Sequence, residues 1–157
     1  MTNLRGPARR RRPAPARILV EADTTLPGVR LPAKATGESA CFDLHAAEDC
    51  QIVVGRVTLV RTGLKMRPPP GTFLEVRPRS GLSTRGVLMP NAPGTIDRDY
   101  GEEIRIPLTL LFGTSHLIRA GDRIAQARLV PELPGRFHPG VVRPLGSRRG
   151  GFGSTGR

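Results

Sequence analysis

The sequence has few of the residues that build metal centres and disulfide frameworks. Its two cysteines, Cys41 and Cys50, and its three histidines are scattered through 157 residues, without the close pairing of a zinc site. There is no secretory signal and no apolar run near the length of a membrane span. We therefore expect a reduced, cytoplasmic protein without a structural metal. A disulfide between Cys41 and Cys50 is the open alternative.

Helical patterns and aromatic residues are scarce as well. The 19 glycines and 16 prolines are spread along the chain, and they interrupt helical spacing of apolar residues after about one turn. This excludes long helices. The five phenylalanines and one tyrosine offer few stacking platforms for single-stranded nucleic acid, which weighs against a nucleic-acid-binding β domain.

Short runs rich in Val, Ile, Leu and Thr predict β-strands instead. They cover residues 17–22, 51–54, 57–61, 72–76 and 123–130. The clearest strand spans residues 104–112, where every second residue from Ile104 to Phe112 is apolar, as in a strand with one buried face. Pro107 cannot donate a ladder hydrogen bond, so it predicts an edge or a bulge at that point. Many short strands separated by turns predict one all-β domain, a sandwich or a barrel.

The formal charge of +12 is concentrated at the front of the chain. Six arginines lie within residues 1–17, and no acidic residue precedes Glu21. Composition predicts a disordered basic arm at 1–17, a folded domain at 18–146 and a flexible Gly-rich arm at 147–157. The basic arm suits weak contact with nucleic acid or another polyanion, or only solubility. The remaining domain is still basic, which favours an anionic ligand.

Residues 94–100 combine a glycine turn, two carboxylates and the only tyrosine. A carboxylate such as Asp97 or Asp99 can orient or deprotonate a water molecule. The ring of Tyr100 offers a flat apolar platform for a sugar or a base. Asp and Gly also make ordinary hairpin turns, so this segment alone supports both interpretations equally.

Four other segments carry polar residues beside turns or strands. They are residues 39–44, 77–83, 121–126 and 150–156. The second predicts a strand that ends in a Ser-Gly turn, whose free N–H groups, hydroxyl and guanidinium suit phosphate oxygens. In the first, Asp43 alternates with Phe42 and Leu44 and should face solvent or a polar site. The last is a glycine-rich stretch around Phe152. Each has an ordinary structural explanation when taken singly.

Taken together and in this order, the five segments resemble the five motifs of the trimeric dUTPase family. The matching residues are 40–46, 79–83, 91–100, 121–126 and 150–156. The resemblance covers residues 17–157 and implies a distorted jelly-roll β-barrel that forms a homotrimer with three shared active sites. It also implies Mg2+-dependent hydrolysis of dUTP to dUMP and pyrophosphate, which keeps uracil out of DNA and supplies dUMP for thymidylate synthesis.

The resemblance assigns the hairpin segment to the base, the sugar and the attacking water. Asp97 would activate the water that attacks the α-phosphorus, and Tyr100 would leave no room for a 2'-hydroxyl. The remaining residues would line the uracil pocket, with the backbone of Asp97; they are Asn91, Gly94, Thr95 and Ile96. A close-fitting backbone would exclude the thymine methyl, because accommodating or missing one methylene-sized group changes binding by only about 1 to 3 kcal/mol.

The other segments are assigned to the triphosphate, the metal and the closing tail. The phosphates would be held by Arg79, Ser80, Gly81 and Gln126. The triphosphate would supply most of the ligands of Mg2+, and Asp43 would contact the ion through bound water. Phe152, on the Gly-rich arm, would cover the uracil ring and exclude water.

Three departures from the family pattern accompany the resemblance. The usual Arg and Gly after the motif tyrosine are Gly101 and Glu102 here in an ungapped alignment. The other alignment has a one-residue deletion here, but it would move the following apolar residues to the opposite face of their strand. Ser147 stands where an arginine usually opens the last motif, so Arg148 or Arg149 would reach the γ-phosphate. Cys41 stands where glycine is common.

Two further classes share the fold implied by the resemblance. One is the related dCTP deaminase group, against which the Gly-rich tail with Phe152 argues. The other is a catalytically inactive regulatory trimer, which the missing arginines make conceivable. The sequence favours dUTP hydrolysis over both and over the nucleic-acid-binding alternative.

Overall fold

The computed structural model describes residues 16–143, 145 and 146. Its elements, in chain order, are β1 (Leu19–Ala22), β2 (Phe42–His45), β3 (Cys50–Val53), β4 (Thr58–Arg61), β5 (Leu64–Arg67), β6 (Thr72–Arg77), α1 (Ser80–Ser83), β7 (Val87–Leu88), β8 (Gly94–Ile96), β9 (Arg105–Leu110), β10 (Ser115–Ile118) and β11 (Arg123–Pro131). The all-β prediction is confirmed, since α1 is a single turn and the only helix in the described part of the chain. Within that part, no helix is long and apolar enough to cross a membrane.

The strands pair antiparallel in four groups. The largest sheet has the order β2-β11-β6-β8, a second has the order β4-β9-β7, and two pairs are β1-β5 and β10-β3. Strand β11 is central to the largest sheet because it pairs with β2 along one edge and with β6 along the other. The jelly-roll description of this arrangement stays a prediction.

The strand predicted over residues 104–112 is β9, and its alternation is observed. Ile106, Leu108 and Leu110 are buried between the sheets. Pro107 lies opposite Leu59 of β4, beyond the part of β9 that pairs with β7, so it has a strand neighbour on one side only. This confirms the edge predicted at the proline. Phe112 lies past the end of the strand and is exposed, contrary to its place on the predicted apolar face.

The sheets enclose one apolar core. Its largest fully buried aliphatic side chains are Leu44, Ile52, Leu64, Leu74, Ile104, Ile106, Ile118 and Ile124. They come from strands of all four sheet groups, or in the case of Ile104 from the residue before β9, so the core joins the groups into one unit. Both cysteines are free thiols, and the alternative of a disulfide between them is wrong.

A close backbone approach joins the loop after β1 to the turn before β11. A Cβ atom added to Gly28 would lie 2.5 Å from the carbonyl oxygen of Ala46 and 2.7 Å from the nitrogen of Gly121. The N–H of Gly121 donates to that same carbonyl at 2.8 Å. Only glycine fits at position 28 without a local shift. The close approach and this hydrogen bond fix the position of the Gly121 turn beside the end of β2.

Candidate active site

A polar cavity lies where β2, β11 and the turn after β6 meet. It has a volume of about 310 Å3, and its lining includes Asp43, Arg79, Ser80, Gly81 and Gln126. Residues of three separate sequence motifs therefore converge on one cavity. The convergence follows from strand register, because Gln126 of β11 lies directly opposite Asp43 of β2.

Among the described residues, Asp43 is the only carboxylate that lines this cavity, and two arginines neutralise it. Arg79 Nε lies 3.2 Å from Asp43 Oδ1, and Arg123 Nη1 donates to Asp43 Oδ2 at 3.3 Å. The Asp43 side chain is 14 % exposed. Two guanidinium groups and one carboxylate leave a net positive charge, which suits an anionic ligand.

The turn at Arg79 presents backbone N–H groups to the cavity. Arg79 precedes α1 as its N-cap residue and makes no side-chain cap. Its carbonyl accepts the N–H groups of Leu82 and Ser83. The earlier N–H groups of the turn, on the exposed Ser80 and Gly81, are those that a helical turn leaves without an internal partner. These two residues are therefore in position to donate to an anion.

A side-chain hydrogen bond holds Gln126 beside this turn. Its Nε2 donates to the carbonyl of Pro78 at 2.9 Å. That contact orients the amide and leaves its oxygen as an acceptor. Since the residue also lies opposite Arg77 of β6, it ties the end of β6 to β11.

Arg123 is a cavity residue that sequence reasoning missed. It lines the cavity, donates to Asp43, and accepts at its carbonyl a hydrogen bond from Arg79 Nη1 at 3.2 Å. In the sequence it follows a Gly-Asp turn and opens the predicted strand over residues 123–130, which assigns it no role in a site. Its position depends on an irregularity in the pairing of β11 with β2 between Arg123 and Ala125, which no local pattern signals.

His45 lies next to this cluster without belonging to it. It is buried, and its Nδ1 has no hydrogen-bond partner among the described residues. Burial lowers the pKa of the imidazole, the positive charges of Arg30, Arg123 and Arg79 lower it further, and the charge of Asp43 opposes this. The neutral imidazole is thus the form that this position favours.

The hairpin segment is built on the other edge of β6. Gly94 lies opposite Val76, and Ile96 lies opposite Leu74. A small cavity of about 40 Å3 there is lined by residues that include Asn91, Gly94, Thr95 and Ile96. Ligand pockets usually measure roughly 300 to 1,000 Å3. In one chain this cavity therefore admits at most the edge of a base.

Asp97 and Tyr100 are exposed on this hairpin. Asp97 follows β8 directly, and its carbonyl accepts the N–H of Tyr100 at 3.2 Å. Tyr100 is 42 % exposed, and its hydroxyl donates to the carbonyl of Glu103 at 3.2 Å. The Asp97 carboxylate makes no hydrogen bond to the residues that the structure describes, so it is available to a ligand or a water.

A single chain does not bring the two sets of predicted residues together. The arginine-lined cavity contains none of residues 91–100, and the hairpin cavity contains none of Asp43, Arg79 or Gln126. They lie on opposite sides of β6, which pairs with β11 along one edge and with β8 along the other. The predicted Arg148 and Phe152 fall outside the described residues.

The cavity residues do not form a magnesium site made only of protein ligands, but they fit one that is completed by substrate phosphates. In the described chain, no three His, Cys, Asp or Glu side chains are grouped as a metal cage. A single carboxylate, Asp43, faces the cavity. Mg2+ is commonly bound through one or two carboxylates plus substrate phosphates. Asp43 fits an ion that arrives with a phosphorylated ligand.

The chain resembles known proteins over most of its length. A family model described as dUTPase matches residues 28–156. The deoxyuridine 5'-triphosphate nucleotidohydrolase of Solibacter usitatus is 40% identical over 144 residues, which cover 90% of this chain and 98% of the relative. The enzyme of the same name from Brucella melitensis is 44% identical over 135 residues, with coverages of 82% and 86%. The crystal structure of dUTPase from Streptococcus mutans has a TM-score of 0.69 at 28% identity, covering 75% of this chain and 98% of that one.

The molecule is an all-β protein with an arginine-lined polar cavity at the junction of two strands and a turn. The matches to the family model and to the two curated relatives are more specific. The chain belongs to the dUTPase family.

Proposed function

We propose that this chain hydrolyses dUTP to dUMP and pyrophosphate with Mg2+ bound to the substrate. The observation that carries the proposal is the cavity in which Arg79, Arg123 and Gln126 surround Asp43. A triphosphate is a compact polyanion, and bidentate guanidinium groups with free backbone N–H groups are strong ligands for it. Membership of the dUTPase family indicates the nucleotide that carries this triphosphate.

In this proposal the phosphates enter the cavity and displace the existing contacts of the arginines. Arg79 forms an ion pair with Asp43 and Arg123 donates to it, and a phosphate oxygen is an alternative partner for both guanidinium groups. Ser80 and Gly81 donate from the backbone, and Gln126 contacts a phosphate through its side chain. The metal would neutralise charge on the phosphates when bound. Asp43, released from the arginines, would face the waters around that ion.

The hairpin supplies recognition of the base and sugar. Asn91 and the backbone from Gly94 to Asp97 would bind the uracil edge, and a thymine methyl would clash with them. Cytosine exchanges a donor and an acceptor at that edge, which leaves buried groups without partners. Tyr100 would pack against the deoxyribose and exclude a 2'-hydroxyl.

Asp97 is the proposed positioning group for the attacking water. Its carboxylate orients the water and accepts its proton as the water oxygen bonds to the α-phosphorus. The bond between that phosphorus and the α–β bridging oxygen breaks, and pyrophosphate leaves. Fixing the water in line with the leaving group removes much of the entropic barrier of a bimolecular step.

A homotrimer with shared sites would bring the arginine-lined cavity of one subunit next to the hairpin of residues 91–100 of another. Residues after β11 carry large apolar side chains that are exposed in the single chain, each 88% exposed or more; they are Leu133, Phe137, Val141, Val142 and Leu145. A run of exposed apolar residues marks a protein contact surface. This supports packing of the segment on a neighbouring subunit, which would carry residues 147–157 toward another site. Phe152 would then cover the uracil, and Arg148 or Arg149 would contact the γ-phosphate.

The basic arm at residues 1–17 is proposed to make weak polyanion contacts, and the enzyme is proposed to work in the cytoplasm. Removal of the arm should leave kcat and KM for dUTP unchanged while weakening salt-sensitive binding to DNA. Salt-sensitive DNA binding that survives its removal would favour a nucleic-acid function of the folded domain instead.

Pyrophosphate release from dUTP, dTTP, dCTP and UTP with Mg2+ tests the proposed reaction. Wild-type protein should turn over dUTP rapidly and the other three poorly. Asp97→Asn should nearly abolish turnover, whereas Asp99→Asn, a change of another exposed carboxylate in the same hairpin, should retain it. Comparable rates on dTTP or an unaffected Asp97→Asn would refute the assignment, and ammonia release from dCTP would indicate a deaminase.

The triphosphate contact of the closing arm has its own test. Arg148→Ala or Arg149→Ala should raise KM for dUTP. Unchanged kinetics in both variants would remove the γ-phosphate role of these arginines while leaving the reaction assigned to Asp97 intact.

A further inference from the structure

The carboxylate of Glu103 is the centre of a partly buried hydrogen-bond cluster. Its Oε1 accepts the N–H of Gly63 at 2.9 Å, and Arg61 Nε lies 3.1 Å from Oε1 and 3.0 Å from Oε2. Arg105 Nε adds a contact at 3.4 Å. Burial would raise the pKa of Glu103, but the hydrogen bonds from Gly63 and Arg61 and the charges of both arginines outweigh it and lower the pKa. The ionised carboxylate is the stable form.

The main chain at Glu103 and Ile104 is attached to the same turn between β4 and β5. The N–H of Ile104 donates to the carbonyl of Leu64 at 2.8 Å. The hydroxyl of Thr62 donates to the carbonyl of Ile104 at 2.6 Å. Gly63 has φ +67°, and a Cβ there would lie 2.3 Å from Val29 Cγ2, so this turn requires glycine.

Tyr100 depends on this anchored segment. Its hydroxyl donates to the carbonyl of Glu103, the only hydrogen bond of that hydroxyl to the described residues. Gly101 and Glu102, which connect the two, are exposed, and Gly101 would have no atom within 4 Å of an added Cβ. The connection itself is therefore open to solvent. The ring is located at its far end by the Glu103 main chain.

We infer that the Arg61–Glu103 ion pair is a positioning unit that holds the ring of Tyr100 through the Glu103 carbonyl. Because Tyr100 is the proposed sugar platform, the pair also determines how strictly a 2'-hydroxyl is excluded. This second part rests on the proposed function. Tyr100 is connected to Glu103 only through the exposed residues Gly101 and Glu102. The ion pair holds Glu103 and thereby limits the motion of this connection.

The chain offers a direct probe of the ring. It contains one tyrosine and no tryptophan, so its ultraviolet protein fluorescence reports on Tyr100 alone. Time-resolved fluorescence anisotropy on full-length protein measures how much of the ring motion is fast on the nanosecond scale. The measurement needs no substrate and is independent of catalysis.

Glu103→Gln is the principal variant, because its amide oxygen can still accept the N–H of Gly63 while the charge pair with Arg61 is lost. Arg61→Gln removes the same pair from the other side. Glu75→Gln is the matched control: the Glu75 side chain is 14% exposed, against 15% for Glu103, and it also accepts from two arginines, Arg77 and Arg128.

In both pair variants the amplitude of fast anisotropy decay should roughly double. The ratio of kcat/KM for dUTP to that for UTP should fall by roughly tenfold or more, since small displacements at a reacting centre have effects of this size. Glu75→Gln should change neither. Tyr100→Phe, which removes only the hydroxyl, should show the same loss of selectivity, with no further loss in the double variant with Glu103→Gln.

Unchanged anisotropy in Glu103→Gln and Arg61→Gln would overturn the positioning unit. Faster ring motion with unchanged selectivity for dUTP over UTP would overturn its part in sugar discrimination. If wild-type protein fails to hydrolyse dUTP, the proposed function falls, and the anisotropy result still decides whether the pair holds the ring.

Discussion

Asp43 and Gln126 lie directly opposite each other across the pairing of β2 and β11. The two residues come from separate sequence motifs, and the register of one strand pair brings them to the same cavity. Asp43 forms ion pairs with two arginines there, whereas the side chain of Gln126 donates to the turn that carries Arg79. The arginine-lined cavity is thus assembled by sheet pairing within one chain.

Replacing Asp43 tests the role of this pairing in substrate binding. Asp43→Asn keeps the shape of the side chain but leaves Arg79 and Arg123 without their anionic partner. The neutral amide would attract the waters around the substrate-bound Mg2+ less strongly than the carboxylate does. We therefore expect KM for dUTP in Mg2+ to rise by roughly tenfold, which corresponds to about 1.4 kcal/mol of lost binding. Stability should fall by no more than about 1 kcal/mol, because the arginines are partly exposed and solvent screens the pairs.

Glu75→Gln is the control for Asp43→Asn as well, since the two carboxylates are equally exposed at 14% and each contacts two arginines. Steady-state kinetics and chemical denaturation compare the two variants. Equal effects on KM would show that Asp43 acts only through general stability.

His45 predicts a pH dependence of folding. Its pKa is lowered in the folded protein, mainly by burial, so the unfolded chain takes up a proton first as pH falls below about 6.5. Folding stability contributed by the neutral ring is therefore present above that pH and is lost as pH falls toward the lowered pKa. Denaturation at several values between about pH 5 and pH 7 should show this slope, and His45→Phe should flatten it. An identical slope in His45→Phe would show that His45 does not cause this pH dependence.

Gly28 predicts a steric requirement far from the chemistry. Gly28→Ala forces the new methyl against the carbonyl of Ala46 and the nitrogen of Gly121, and it should destabilise the fold by about 1 to 3 kcal/mol. Gly37→Ala is the control, because nothing lies within 4 Å of a Cβ at that position. It should be neutral or slightly stabilising. Urea denaturation distinguishes the two, and equal stability would disprove the close approach.

The exposed apolar residues after β11 predict an assembly contact. Leu133→Ser with Phe137→Ser should shift a trimer toward smaller species and reduce dUTP turnover, because each site would lose residues from its neighbours. His138→Ser, in the same segment and also exposed, should leave assembly intact. Sedimentation velocity measures the result. A stable trimer in the double variant would place the contact elsewhere.

Local structure was largely predictable from sequence. Alternation of apolar residues located β9, and Pro107 correctly indicated a position with a strand on one side only. The apolar pattern did not show where β9 ends, because Phe112 continues the alternation past the turn yet is exposed. Alternation of apolar residues indicates which face of a strand is buried, but it does not show where the strand ends.

The predicted site was only partly foreseeable. Asp43, the Arg79 turn and Gln126 each have a local signature in the sequence, and the structure places them around one cavity; their roles stay a prediction. Arg123 was missed, since its place in the cavity depends on an irregular register between β11 and β2. The Arg61–Glu103 pair, which joins β4 to the segment before β9, has no sequence signature.

By itself, the sequence determined the all-β class, the positions of most strands and the motifs that identify the family, because propensity, alternation and turn chemistry act over a few neighbouring residues. Only the tertiary structure decided which motifs share a cavity. Strand pairing put the arginine-lined cavity on the β11 side of β6 and the Asp97 hairpin on its β8 side. The physical reason is that register and sheet order arise from burial of a common core, in which residues distant in sequence must satisfy one another's packing and hydrogen bonds.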